Sequence, residues 1–244
     1  MPEPSWQQAV EAISPYVIRI STPDHAGTGV LFAFGAEGGI LGFATAAHVL
    51  AHAHLWQQPI RIEHGASGWE RLVKFDERAL VFDDDTDTAA LVLLRDGAPF
   101  PTELLTMTPE RMVIRVGVEV GWVGYPGVTP ARDQLCFFSG RISAWLEPKH
   151  AYLVDGVAIS GVSGGPAFFV GSQGQPVLLG VMSAYLPNKT TGTPLPGLSL
   201  VAHIGQLEKV VQDLHQLGKP AEGASPDLHS TPSSGVPKSE EPEG

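Results

Sequence analysis

The chain has 244 residues and a formal net charge of −11. This length is sufficient for a sizeable apolar core in one large all-β domain or in two small ones. The negative charge argues against nucleic acid or an anionic membrane surface as the main partner. The single cysteine, Cys136, excludes an intrachain disulfide, so nothing requires an oxidising compartment.

The two ends of the chain lack large apolar segments. Residues 1–6 carry neither the basic nor the apolar region of a secretory signal, and no run in the sequence approaches membrane-spanning length. We therefore expect a soluble, cytoplasmic protein. Residues 218–244 are rich in Pro, Ser, Gly and Glu and cannot bury enough surface to offset the entropy of ordering. They are predicted to form a disordered tail, or a linker to a further domain or partner.

Short apolar runs separated by 28 glycines and 21 prolines indicate an all-β protein. After a short helix that begins near Ser5, the first half of the chain contains a hairpin formed by residues 28–34 and 40–45. The other predicted strands of this half are residues 16–20, 59–62, 71–75, 79–82 and 88–94.

The second half shows the same pattern of short apolar runs and turns after a proline-containing linker at residues 96–112. Its predicted strands are residues 113–114, 118–124, 135–138, 141–145, 152–154, 167–170, 177–185 and 198–202. Residues 205–217 place apolar side chains at helical spacing, which predicts an amphipathic helix that closes the domain.

His48 follows three small residues at the end of a predicted strand. This setting would bury the flank of the imidazole and leave its far nitrogen exposed. A lone histidine is more often a satisfied core residue. Because His52 and His54 follow closely, a metal site is an alternative, with His48 and His52 on one helix face. No carboxylate or thiol ligand accompanies them at a recognisable spacing, which disfavours metal.

Asp87 is the last carboxylate of an acidic turn and stands at the entry to a wholly apolar strand. A carboxylate in that position would be partly buried and would need a partner, for which a catalytic histidine is suitable. The carboxylates of residues 83–85 are interpreted as an ordinary solvated loop.

Ser163 lies in the segment GVSGGP at residues 161–166. Glycines permit a sharp turn and a close approach of a substrate backbone. A serine hydroxyl is a weak nucleophile, so acyl transfer needs a base to take its proton and donors to stabilise the oxyanion. Ser-Gly-Gly-Pro is also ordinary turn chemistry. The catalytic interpretation therefore depends on His48 and Asp87.

Taken in the order His48, Asp87 and Ser163, the chain resembles the chymotrypsin-like (trypsin-like) serine peptidases. It is most similar to the bacterial branch without disulfides that includes the HtrA/Deg protease domains. The resemblance extends over about residues 15–217, and three ordered motifs together are far more specific than any one. The matching segments are TAAH at 45–48, DTAAL at 87–91 and GVSGGP at 161–166, with further likeness at 123–127 and 140–143.

The resemblance implies two six-stranded β-barrels packed face to face, then a C-terminal helix and the disordered tail. A protease domain would span residues 1–217, with one barrel over about 15–95, the linker over 96–112 and the second barrel over 113–204. Residues 218–244 are too few and too polar to form the PDZ domain of HtrA proteins. The resemblance implies no cofactor and no metal, and a protein or peptide substrate as partner.

The resemblance also implies catalytic roles. Ser163 would attack the scissile carbonyl, His48 would act as the general base, and Asp87 would orient the imidazole. The N–H groups of Gly161 and Ser163 would form the oxyanion hole.

Substrate contacts follow in the same way. Ser183, Ala184 and Tyr185 match the strand that pairs with the substrate backbone. Val157 stands where trypsin carries its acidic pocket floor, which implies a small or medium apolar side chain on the acyl side of the cut. Val162 replaces the aspartate that receives a new N-terminus in secreted relatives, so that activation route would be absent.

Three classes of function therefore remain open. The first is an active serine endopeptidase. The second is a latent or inactive peptidase-like module that binds extended peptides or scaffolds a complex. The third is a metal-dependent site at His48, His52 and His54.

Overall fold

The structure is a computed structural model that describes residues 5–35, 38–127, 133–187 and 194–216. Within these residues the chain forms two seven-stranded β-sheets and three short α-helices. The predicted tail at residues 218–244 lies outside the described part. No helix in the described ranges is long and apolar enough to cross a membrane.

The first sheet contains the first seven strands in the order β5-β4-β1-β2-β3-β7-β6. Its strands are β1 Val17–Ser21, β2 Ala26–Phe34, β3 Ile40–Ala46, β4 Ile60–His64, β5 Trp69–Val73, β6 Arg78–Asp83 and β7 Thr88–Leu94. All neighbours in this sheet are antiparallel. The pairing of β2 with β3 confirms the predicted hairpin.

The first sheet is not a closed barrel, so the prediction of two closed six-stranded barrels is wrong for this half. Within the described residues, β5 and β6 are both edge strands. Arg78, the first residue of β6, donates from its guanidinium to the carbonyl of Val73, the last residue of β5, at 3.2 Å and to the carbonyl of Gln58 at 2.8 Å. A side chain thus satisfies the last carbonyl of the edge strand β5, which does not pair with β6.

The second sheet closes into a barrel of six strands, because β12 pairs with both β9 and β13. Strand β8 is attached to the outside of β13 in parallel, and it lies within the predicted linker. The strands are β8 Thr106–Met107, β9 Glu119–Gly124, β10 Cys136–Leu146, β11 Ala151–Asp155, β12 Pro166–Val170, β13 Pro176–Pro187 and β14 Pro194–His203.

Three α-helices connect or cover the sheets: α1 Trp6–Ile13, α2 Ala47–Leu55 and α3 Glu208–Gln216. Short 3-10 turns occupy Ser14–Tyr16, Phe75–Glu77, Glu147–Lys149 and Ile204–Leu207. The helix predicted over 205–217 thus begins as a 3-10 turn and continues as α3.

An apolar cluster joins the two sheets. Val210 and Leu214 of α3 pack with Ala33 and Ala90 of the first sheet and with Leu178 of the second. The chain therefore returns from the second sheet to cover the first. This packing holds the two sheets against each other, and the candidate site lies where their strand ends meet.

Candidate active site

His48 and Asp87 are brought together by the register of β3 and β7. The last residue of β3, Ala46, pairs with the first residue of β7, Thr88. Because the strands are antiparallel, the residue before β7 and the residues after β3 lie at the same end of the sheet. There His48 Nδ1 lies 2.9 Å from Asp87 Oδ2, and the backbone N–H of His48 donates to Asp87 Oδ1 at 3.0 Å.

Asp87 receives a third hydrogen bond from the Ser183 hydroxyl, whose oxygen lies 2.7 Å from Asp87 Oδ2. Burial of the Asp87 carboxyl tends to raise its pKa, but the hydrogen bonds and charge of His48 and the bond from Ser183 outweigh burial and hold the pKa below its usual value. Asp87 is therefore ionised at neutral pH and accepts hydrogen bonds only. The proton between the two side chains then belongs to His48 Nδ1, which leaves Nε2 as the acceptor.

The turn that carries Ser163 is inserted between β2 and β3. The ladder between these strands ends at the pair Val30 and Ala44, and beyond that pair the strands separate. Gly164 occupies the gap: a Cβ at this position would lie 2.1 Å from the carbonyl oxygen of Thr28 and 2.8 Å from Ala46 N. The serine turn of the second sheet thus reaches the strand of the first sheet that leads to His48.

The peptide plane that joins Ser160 to Gly161, the first of this turn, is held by a neighbouring loop. The carbonyl of Ser160 accepts a hydrogen bond of 2.7 Å from Gly127 N. In a planar trans peptide the following N–H points the opposite way, so the N–H of Gly161 is directed away from Gly127. Gly161 has a φ of +92°, a left-handed conformation that suits glycine.

The peptide plane that joins Val162 to Ser163, the third of the turn, is held within the turn itself. The carbonyl of Val162 accepts from Gly165 N at 2.9 Å, so the N–H of Ser163 points away from that bond. Within the described part of the chain, neither Gly161 N nor Ser163 N donates a hydrogen bond to a protein group. Two N–H groups of the turn are therefore free to bind an oxyanion.

Ser163 and His48 are not joined by a hydrogen bond in this structure, in which both residues are described. The Ser163 side chain is half-buried, and the His48 side chain is 45% exposed. In the absence of substrate, nucleophile–base contacts are often long and shorten in the substrate complex.

The predicted substrate-binding residues differ in exposure. Val157 is 50% exposed and therefore accessible to a ligand. Ser183 is buried and its hydroxyl is used by Asp87, so its side chain is not a surface contact. Ala184 and Tyr185 belong to β13, but their side chains lie outside the described part.

The three histidines of α2 have separate partners. His48 contacts Asp87, whereas His52 Nδ1 lies 2.8 Å from Asp24 Oδ2. The ring of His54 packs near the ring of Phe82, at 5.3 Å between centroids. In the part of the chain that the structure describes, no group of three or more His, Cys, Asp or Glu residues is arranged to hold a metal ion.

Two functional candidates were missed by the motif comparison. Ser183 was assigned to substrate pairing, but its hydroxyl is a partner of Asp87. The sequence predicts Thr28 only as part of a hairpin strand, yet its hydroxyl donates to the Gly161 carbonyl. A polar residue within an otherwise apolar strand was the available sequence signal in each case.

We predict that Gly164→Ala destabilises the protein much more than Gly174→Ala. Both positions have a positive φ, +82° and +85°, but only Gly164 is closely packed. The strained φ alone costs about 1–2 kcal/mol, and overpacking at Gly164 adds about 1–3 kcal/mol. Urea unfolding of the two variants measures the difference. Equal losses would contradict the tight insertion of the turn between β2 and β3.

No protein-family model and no curated protein matches the sequence. The fold is similar to solved structures at 18–20% sequence identity. A mutant of Rv3671c from M. tuberculosis H37Rv, described as its inactive form, matches with a TM-score of 0.58, covering 88% of this chain and 95% of that chain. The inactive form of Rv3671c protease matches at 0.58, with coverages of 86% and 96%.

Deg5 matches with a TM-score of 0.59 and 20% identity, covering 83% of this chain and 90% of that chain. At these identities the comparison concerns the fold alone. The fold predicted from the three ordered motifs is thereby confirmed, except for the closure of the first barrel. The chain has the trypsin-like fold of the HtrA-type serine proteases.

Proposed function

We propose that the protein is a serine endopeptidase that cleaves peptide bonds through an acyl-enzyme on Ser163. The observation that carries the proposal is the hydrogen-bonded pair of His48 and Asp87, 2.9 Å apart, beside a serine turn with two free N–H groups. A histidine oriented by an ionised carboxylate is the base that a serine nucleophile needs.

The reaction has two steps. In acylation, Ser163 Oγ bonds to the scissile carbonyl carbon and its proton passes to His48 Nε2. His48 then gives this proton to the leaving nitrogen as the C–N bond breaks. In deacylation, a water molecule repeats the attack with His48 as base, which releases the acid and restores Ser163. Asp87 remains ionised throughout and stabilises the imidazolium.

The N–H groups of Gly161 and Ser163 would stabilise the negative charge on the carbonyl oxygen. Each such donor contributes typically about 10²–10³ in turnover. The support for this role is the orientation of the peptide planes, because the carbonyl of Ser160 is bonded to Gly127 and does not compete for the site.

The substrate would be an extended polypeptide that adds as a strand beside residues 183–185 of β13. The exposed Val157 favours a small or medium apolar side chain on the acyl side of the cut. We also retain, as parts of this proposal, a cytoplasmic location, no cofactor or metal requirement, and no nucleic-acid or membrane partner.

One observation favours the second candidate, a latent or inactive module that binds extended peptides. The hydroxyl of Ser163 makes no hydrogen bond to His48, although both residues are described. A resting site of this kind would bind peptide without turnover. The active peptidase and the latent module differ in the chemical reactivity of Ser163, which is high only in the peptidase.

We predict that a fluorophosphonate probe labels Ser163. Labelling requires an activated nucleophile and does not require the natural substrate. It should be lost in Ser163→Ala and in His48→Ala, and retained in Ser139→Ala, which removes an exposed serine of β10. Intact-mass spectrometry measures the adduct. A folded wild-type protein without an adduct would favour the latent module.

We predict different losses of turnover for Asp87, the partner of His48, and for Ser183, the partner of Asp87. Asp87→Asn stabilises the wrong tautomer of His48 and should lower turnover by about 10⁴-fold. Ser183→Ala removes one hydrogen bond to the Asp87 carboxylate and should lower turnover by about 10- to 100-fold. Steady-state hydrolysis of a fluorogenic peptide measures both. An Asp87→Asn enzyme with wild-type turnover would exclude the proposed role of Asp87.

A further inference from the structure

Thr28 lies where the two sheets and the serine turn meet. It belongs to β2, and it is fully buried. Its hydroxyl donates to the Gly161 carbonyl at 2.8 Å and accepts from Tyr125 N at 3.0 Å. Because a carbonyl only accepts and a backbone N–H only donates, the direction of both hydrogen bonds is determined.

The backbone of Thr28 makes two further hydrogen bonds at the same junction. Its N–H donates to the carbonyl of Ser163 at 2.8 Å, and its carbonyl accepts from Thr45 Oγ1 at 2.7 Å. Thr45 lies in β3, three residues before His48. Thr28 thus connects the strand that leads to the histidine with the turn that carries the serine.

The hydroxyl of Thr28 holds the carbonyl side of the peptide plane between Gly161 and Val162, and the Val162 N–H on the other side donates to the carbonyl of Ile159 at 3.0 Å. In the described part of the chain, the Gly161 carbonyl accepts no other hydrogen bond. Glycine has a wide range of allowed conformations, so without Thr28 this peptide would be held only by the hydrogen bond of Val162 N and would rotate more easily. Rotation would reorient the neighbouring N–H groups of Gly161 and Ser163.

Thr28 also supports the peptide plane between Ser160 and Gly161, through the residues that follow β9. Tyr125, whose N–H donates to the Thr28 hydroxyl, is followed two residues later by Gly127. The N–H of Gly127 in turn holds the carbonyl of Ser160 at 2.7 Å. One hydroxyl therefore restrains both the turn and the loop that orients it.

Building on the peptidase function proposed above, we propose that Thr28 is a positioning residue for the oxyanion hole. Its hydroxyl holds the turn so that the N–H groups of Gly161 and Ser163 face the developing oxyanion. Thr28 is buried and acts through the turn, without touching the substrate. A purely structural threonine would affect stability and leave the turnover of the folded enzyme unchanged.

The test compares Thr28→Val, which keeps the shape and removes the hydroxyl, with Thr28→Ser, which keeps the hydroxyl. Thr108→Val is the matched control, because Thr108 is buried and its hydroxyl donates to Leu178 O on β13, outside the serine turn. Hydrolysis of p-nitrophenyl acetate gives kcat and KM, and a fluorophosphonate gives the rate of labelling at Ser163.

We expect Thr28→Val to lower kcat and the labelling rate by about 10²-fold with little change in KM, the size of effect produced by small misplacements of catalytic groups. Thr28→Ser should restore most of both rates, and Thr108→Val should resemble wild type. If Thr28→Val does not fold, Thr28→Ala takes its place with the same expectation. Wild-type kcat in a folded hydroxyl-free variant would overturn the proposal.

Amide hydrogen exchange tests the role of Thr28 in a second way, which does not depend on catalysis. In a Ser163→Ala background, the hydroxyl-free variant should exchange faster at Val162, Gly164 and Gly165, whose N–H groups are bonded within or next to the turn. If the wild type is neither labelled nor active, the proposed peptidase function fails, and exchange still decides the role of Thr28. Unchanged exchange at these amides would overturn that role.

Discussion

The candidate site depends on the register of β3 against β7. The pairing of Ala46 with Thr88 places His48 just beyond one strand and Asp87 just before the other, at one end of the sheet. A slip of one residue would turn the alternating side chains to the opposite faces and separate imidazole from carboxylate. The buried apolar residues of both strands specify the register, so the packing of the core also positions His48 and Asp87.

The second constraint is the close approach of the two sheets, which glycines make possible. A Cβ at Gly27 would lie 2.6 Å from the Val49 side chain and 3.0 Å from the Ser163 carbonyl. A Cβ at Gly124 would lie 3.0 Å from the Thr28 hydroxyl. Side chains at these positions would push the serine turn away from the histidine.

Much of this arrangement could be predicted from the sequence, because the chemistry of His48, Asp87 and Ser163 is local to short motifs. Closure of the first barrel could not be predicted. It depends on whether the edge strands β5 and β6 pair with each other, and that is decided by tertiary packing and not by a local motif. The Ser183 hydroxyl contacts a carboxylate 96 residues away, and the Thr28 hydroxyl contacts a carbonyl 133 residues away. The polar residue in each apolar strand is visible in the sequence, but a partner so distant cannot be identified from a local pattern.

The most direct test of the account is the crystal structure of the protein treated with a peptidyl chloromethyl ketone, which alkylates a histidine and traps an adjacent serine. The account predicts one inhibitor bridging Ser163 Oγ and His48 Nε2, with its oxyanion about 2.7–3.1 Å from the N–H groups of Gly161 and Ser163. Asp87 should remain bonded to His48 Nδ1. An inhibitor attached to His48 alone, with Ser163 unreacted and the turn reoriented, would contradict the account.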